Sequence, residues 1–221
     1  MAGVDRRHRL DRRLRRRVPG AVVAGVDEAG RGCLAGPVVV AAVVLTDDVE
    51  LPGVRDSKLM TLAAREEAYA RIRASCVAFD VLAVSQREVD RRNVLHASEW
   101  GMTRALERLE LRRGLRVGAV LVDGHRIPPG LGDRGIALVK GDDRSLSIAA
   151  ASVLAKVVRD RLMRSWARHH PEYGFDRHVG YPTPVHLEAL RRHGPCPLHR
   201  LSFAPVAAAA QSRLDVDAKS A

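Results

Sequence analysis

Asp27 and Glu28 are adjacent carboxylates at the end of an apolar, β-branched run over residues 21–26, and Gly30, Arg31 and Gly32 follow almost at once. Two neighbouring acids repel each other unless a proton or a cation intervenes, and hard divalent ions such as Mg²⁺ are the usual solution. The bland alternative is that one acid caps a turn while the other is solvated. Repetition weighs against it. A second apolar run, residues 117–122, ends in Asp123, and a third, residues 136–139, ends in Lys140, Gly141 and Asp142. Short apolar runs closed by glycine suit buried strands. Three strands therefore each deliver a carboxylate at a C-terminal end, where an open α/β sheet builds its sites.

The glycines around Arg31 leave backbone N–H groups bare with one guanidinium between them, which lets the main chain press against a sugar or phosphate. Gly30, Gly32 and Ala35 also fit the dinucleotide pattern G-x-G-x-x-A, with residues 47–50 near the place of a ribose-binding acid. That fingerprint requires a helix straight after the glycines. Here Pro37 and a further apolar run, residues 38–45, follow instead and exclude it. His193, Cys196 and His199 lack a fourth ligand and match no common zinc spacing.

The 221 residues suffice for one domain with a substantial core, and an aromatic content of 4 % means that Ala, Val and Leu must build it. The formal charge is +11, and eight arginines fall within the first twenty residues against Asp5 and Asp11. A basic body around an acidic cluster suits a protein that holds a polyanion while binding metal at one spot. Cys33, Cys76 and Cys196 are odd in number and widely spaced, so no disulfide framework is read and a reducing cytoplasm is the expected location. No apolar run reaches the length of a membrane span and no secretory segment opens the chain, so no membrane association is expected.

These residues need elements to position them. Residues 1–20 read as a basic, disordered arm with Leu10, Leu14 and Val18 at helical spacing, residues 21–205 as one α/β domain, and residues 206–221 as a tail. The loop carrying Asp56, Ser57 and Lys58 leads to a helix around residues 62–72 and a third strand over 77–84, an antiparallel meander with the first two. Ser85 and Glu88 form a capping box, and a helix over 97–112 follows. The longest helix covers 145–169, with small residues facing the sheet and Lys156, Asp160 and Arg164 read as a surface ion-pair ladder. Thr183 and Pro184 open a last helix that stops at Gly194, and Tyr181 stands just before it, as core or as a stacking face for a base or sugar.

The motifs DEAGRG (27–32), DSK (56–58), VDG (122–124), KGD (140–142), SIAAASVLAKVVRD (147–160) and GYPT (180–183), with later HR and SF pairs, stand in the order seen in bacterial type 2 ribonuclease H. Residues 20–205 resemble that family. The resemblance implies an α/β, RNase H-like fold: a mixed five-stranded sheet flanked by helices, its first three strands antiparallel, with a small C-terminal helical extension. It also implies a metal-dependent endonuclease. Such an enzyme hydrolyses the RNA strand of RNA–DNA hybrids and incises duplex DNA 5′ of embedded ribonucleotides, leaving 5′-phosphate and 3′-hydroxyl ends.

By position in the motifs, Asp27, Glu28, Asp123 and Asp142 correspond to the family's four catalytic acids. Asp27, Glu28 and Asp123 are the implied ligands of two divalent ions, Mn²⁺ or Mg²⁺, and Asp142 is expected to ligate only with substrate present. The resemblance gives Gly30, Arg31, Gly32 and Tyr181 the reading of the ribonucleotide and the deoxyribonucleotide after it, through the 2′-hydroxyl that separates RNA from DNA. Ser57, Lys58 and Lys140 are carried over as phosphate or site contacts, while Val179 stands where many relatives are expected to have lysine. Residues 211–214 resemble the short peptides by which bacterial replication enzymes hold the sliding clamp, which implies a weak clamp contact on a monomeric enzyme. A junction nuclease or integrase would share the clustered acids but lack the ribose-reading loop. A binding module without catalysis is opposed by the intact set of four acids.

Overall fold

The computed structural model describes residues 6–17 and 22–220, with side chains placed over 9–17 and 22–212. In chain order the elements are α1 (Arg6–Arg17), β1 (Val22–Ala29), β2 (Val38–Val44), α2 (Leu62–Ser75), β3 (Ala78–Val84), α3 (Gln86–Arg92) and α4 (Val94–Arg113). There follow β4 (Val117–Asp123), β5 (Gly135–Leu138), α5 (Gly141–Arg144), α6 (Leu146–Ala167), α7 (Phe175–His178), α8 (Pro184–His193) and α9 (Ala204–Ser220). Two compact units share these elements. The first comprises Met1–Ala29, Val39–Ala83 and Ser98–Val158, and the second Gly30–Val38, Val84–Ala97 and Arg159–Ala221.

The first unit is built on a five-stranded sheet in the order β3-β2-β1-β4-β5. β1 runs antiparallel to β2 and parallel to β4, and β4 runs parallel to β5, so the sheet is mixed as expected. A strand in the middle of such a sheet is buried on both faces, which is why β1 and β2 read as continuous apolar runs rather than alternating ones. Every residue of β2 is buried. Ala149, Ala150, Ala151, Ser152 and Ala155 of α6 are buried too, as their small size requires for close approach.

Within the arm that the sequence presents as disordered, Arg6–Arg17 form the helix α1, and α1 is docked. Leu10 and Leu14 pack against Val23, Ala119, Leu121, Leu138 and Ile148. Asp11 is fully buried and accepts hydrogen bonds from Ser145 Oγ (2.7 Å) and Ser147 N (2.9 Å). Arginine is a good helix former, and two leucines one turn apart supply the packing that an isolated helix of this length would lack. Val18 lies outside the described residues.

In the second unit Tyr173, Phe175, Met163, Ala35 and Leu198 form one apolar cluster, and Tyr173 Oη donates to Gly194 O (2.6 Å). Ser85 and Thr183 cap α3 and α8 as expected, each accepting from an N–H three residues on, with Pro184 opening α8. The tail continues α9 (Ala204–Ser220), whose Val206 packs against Leu34 and Leu190; the side chains of Arg213 and Leu214 in the clamp-like motif lie outside the described residues. Asp160, expected on a surface ladder, is buried at 3 % exposure. Among the described residues no helix is long and apolar enough to cross a membrane.

Candidate active site

Backbone register brings the acids together. Val26 of β1 lies opposite Val122 of β4 in parallel pairing, so the next residue on each strand, Asp27 and Asp123, stands at neighbouring C-terminal ends. Asp123 also pairs with Leu138 of β5, and its Oδ1 accepts the N–H of Gly141 at 2.7 Å. That bond ties down the turn in which Lys140 takes a left-handed conformation (φ 54°) and Asp142 enters the first turn of α5. Three strand ends thus deliver Asp27, Asp123 and Asp142 to one edge of the sheet, as the repeated pattern in the sequence suggests.

Their proximity shows in their electrostatics. Burial first, then repulsion from Glu28 and Asp123, raises the Asp27 carboxyl well above its ordinary value, against bonds from Ser152 and from the Glu28 N–H (2.7 Å). Burial, then Asp123, Asp56 and Asp143, raises Asp142. Among the described residues no three His, Cys, Asp or Glu side chains already close into a metal-binding group. The acids are neighbours by register and by charge, not a finished cage. The donors are nevertheless right for a hard cation: all are oxygens, and a divalent ion would offset both the burial and the repulsion that lift Asp27.

Ser57 is buried, and its Oγ lies 3.0 Å from Ser152 Oγ. Ser152 in turn hydrogen-bonds Asp27, so Ser57 reaches the acids through Ser152. Lys58 and Lys140 are exposed, with the Lys58 N–H held by Asp56 Oδ1 (2.9 Å).

In the second unit, residues 30–32 are held from behind. Arg200, fully buried, donates to Gly30 O (2.8 Å), Arg31 O (2.9 Å) and Gly36 O (3.0 Å). Arg159, also fully buried, donates to Ala35 O (3.1 Å), Pro37 O (3.1 Å) and Val179 O (2.8 Å). With these carbonyls occupied, Arg31 and Gly32 are left exposed. Gly30 has φ 94°, and a Cβ there would fall 1.9 Å from Arg159 Nε, so only glycine fits. Gly180 is confined in the same way: its O accepts Leu34 N (2.9 Å) and its Cβ would meet Ala35 O at 2.6 Å. The loop and the Gly180-Tyr181 turn are therefore pressed together, and the Arg159 guanidinium stands 5.9 Å from the centre of the half-buried Tyr181 ring. Burial lowers the Arg200 guanidinium to about 10, which leaves it charged at neutral pH.

Two histidines fix Tyr181 further. The Cys196 N–H donates to His199 Nδ1 (3.0 Å), His199 Nε2 lies 3.1 Å from His186 Nε2, and His186 Nδ1 lies 2.8 Å from Tyr181 O. One assignment satisfies every bond: His199 carries its proton on Nε2 and His186 on Nδ1, both rings neutral. Burial lowers each to about 4, in keeping with that assignment. With both ring nitrogens engaged, His199 has none left for zinc.

Sequence reasoning gave no site role to Ser152, Arg159, His186 or Arg200, and weighed His199 only as a zinc ligand. One signal was available: Arg159 falls on the helical face that carries Ser152, Ala155 and Met163, all buried, where a charge needs a partner.

A family model described as ribonuclease HII matches residues 24–206. The ribonuclease HII of Acidovorax sp. (strain JS42) is 51% identical over 194 residues, covering 88% of this chain and 90% of that protein. Among solved structures, the ribonuclease H2 of Pyrococcus horikoshii OT3 superposes with a TM-score of 0.72 at 29% identity, over 86% of this chain and 97% of that one. The RNase HII of Archaeoglobus fulgidus, solved in complex with PCNA, gives 0.67 at 30% identity, over 82% and 95%. The sheet order, the carboxylates gathered at its edge and these matches over most of the length agree: the chain belongs to the ribonuclease HII family and is a metal-dependent ribonuclease with an RNase H-like fold.

Proposed function

We propose that this endonuclease, beyond cutting RNA–DNA hybrids, incises duplex DNA on the 5′ side of a single embedded ribonucleotide and leaves 5′-phosphate and 3′-hydroxyl ends. The observation that carries the reading is the register that sets Asp27 beside Asp123, with Asp123 holding the turn of Asp142. Asp27, Glu28 and Asp123 would hold Mn²⁺ or Mg²⁺, with Asp142 joining when substrate is bound. Held there, two such ions would supply a lowered pKa to the attacking water and charge stabilisation to the leaving 3′ oxygen.

The chain's own residues do the rest. Asp27 is oriented by Ser152 and by the Glu28 N–H, so its carboxylate keeps one direction as substrate arrives. The exposed backbone at Arg31 and Gly32 approaches the ribose and its 2′-hydroxyl, which no deoxyribonucleotide can imitate. The Tyr181 ring packs on the following deoxyribose, where a 2′-hydroxyl would be in the way. Lys58 and Lys140, both exposed, contact phosphates. The Archaeoglobus relative solved with PCNA supports a clamp contact by this enzyme. The reading takes the enzyme to act as a monomer in the cytoplasm.

A cleavage map on a DNA duplex carrying one ribonucleotide tests the reading. A single cut 5′ of the ribonucleotide, metal-dependent and absent from the all-DNA duplex, is expected. Cutting of hybrids with no cut at a single ribonucleotide would overturn it.

A further inference from the structure

The N-terminal helix precedes the region matched by the family model, and nothing in the catalytic account uses it. It is built as two faces. Inward, Leu10 and Leu14 join the apolar cluster and Asp11 is buried against Ser145 and Ser147. Outward, Arg9, Arg12, Arg13, Arg16 and Arg17 line a recess of about 440 Å³ with no acid among its lining residues. Arg9, Arg13, Arg16 and Arg17 are exposed. Residues three or four apart on a helix rise by about 4.5–6 Å, so the exposed guanidiniums form a row of about one charge per turn. A row of that kind suits a chain of phosphates rather than one small anion, which needs a closed cage of donors.

The helix is also aimed. α1 packs against α5 and β1, which carry Asp142 and Asp27, and the Asp11 carboxylate grips the turn three to five residues beyond Asp142. A membrane surface is the poorer partner, because an interfacial helix must offer its apolar side to lipid and here that side is packed on the sheet. The geometry points to α1 as a second nucleic-acid site: its arginine row holds the phosphate backbone of the duplex, and Asp11 is the latch that fixes the row beside the acids.

This rests on the nuclease reading only for the identity of the polyanion, so the test uses binding without turnover. The full-length protein is titrated in EDTA against a labelled all-DNA duplex over a range of salt. The triple variant Arg9→Gln, Arg13→Gln, Arg16→Gln should bind about tenfold more weakly at 150 mM salt, with the log–log salt slope reduced by roughly two to three. Asp11→Asn separates a docked site from a loose polycation. It makes the chain more basic, yet undocking the row should weaken binding about threefold. Should Asp11→Asn fail to fold, Ser145→Ala removes a hydrogen-bond donor to the same carboxylate and should act in the same direction. An unchanged affinity and slope in the triple variant, or binding as tight as wild type when the latch is broken, would overturn the proposal. Because the duplex contains no ribonucleotide, either result is independent of whether the enzyme incises at one.

Discussion

The sheet edge and the loop at residues 30–32 both depend on buried charge, and they handle it in opposite ways. At the edge, parallel register sets acids together, and burial, then their mutual repulsion, lifts Asp27 well above its ordinary value. Behind the loop, Arg159 and Arg200 are equally buried, yet each gives its guanidinium to three backbone carbonyls. One region gathers buried, mutually repelling charge for a cation to answer. The other spends satisfied charge on shape. The proposed metal site is held under repulsion, whereas the proposed ribose-reading loop is fixed by its own hydrogen bonds before substrate arrives.

The sharpest way to break that contrast is to neutralise one charge on each side. Asp27→Asn should lower turnover about a thousandfold, the scale of the several kcal/mol that a bound cation contributes to a transition state. The same change should raise metal-free stability by about 1 kcal/mol, since it removes a repelled, buried charge. Single-turnover kinetics and thermal unfolding in EDTA report the two effects. Arg200→Met should do the reverse. It leaves Gly30 O, Arg31 O and Gly36 O without their donor, and should cost about 3 kcal/mol, a fall of roughly 10 °C in Tm. Discrimination between ribonucleotide-containing and all-DNA duplexes should fall more than affinity for Mn²⁺.

Acid sharpens the comparison. His186 and His199 sit at about 4 in the folded chain against about 6.5 when unfolded. Between those values the unfolded chain takes up protons that the folded chain refuses, so their contribution is present above pH 6.5 and lost as pH falls towards 4. The raised carboxyls of Asp27 and Asp142 act in the opposite sense, gaining stability as pH falls. Urea unfolding of wild type and His199→Gln at pH 7 and pH 4.5 isolates the histidines: wild type should lose about 2 kcal/mol more than the variant. The smallest effect is expected for Ser57→Ala, which removes the partner of Ser152 and should cost about 1 kcal/mol with only a few-fold loss of rate.

Strand ends were legible because a buried strand announces itself by composition and its terminal acid by contrast. Asp27, Asp123 and Asp142 each close an apolar run, and the sheet that joins them followed from the motif order. The docking of α1 was not legible. A helix of arginines with two leucines looks solvated until Asp11 finds two serines more than 130 positions away. The same holds for Arg200, whose three carbonyl partners lie over 160 residues upstream. The histidine relay shows a further limit, because His193, Cys196 and His199 invite a search for a metal, whereas the partners of His199 are a backbone amide and another imidazole. Periodicity reports which face is buried and is silent on which distant group completes a polar one.

Asp27 and Asp123, set side by side by strand register, are proposed to share a divalent ion. Calorimetric titration of Mn²⁺ into wild type and Asp123→Asn at neutral pH addresses it without substrate. Wild type should bind Mn²⁺ and unfold at a higher temperature when loaded, while Asp123→Asn should lose at least tenfold in affinity together with that shift. Equal Mn²⁺ affinity in the two proteins would contradict the account.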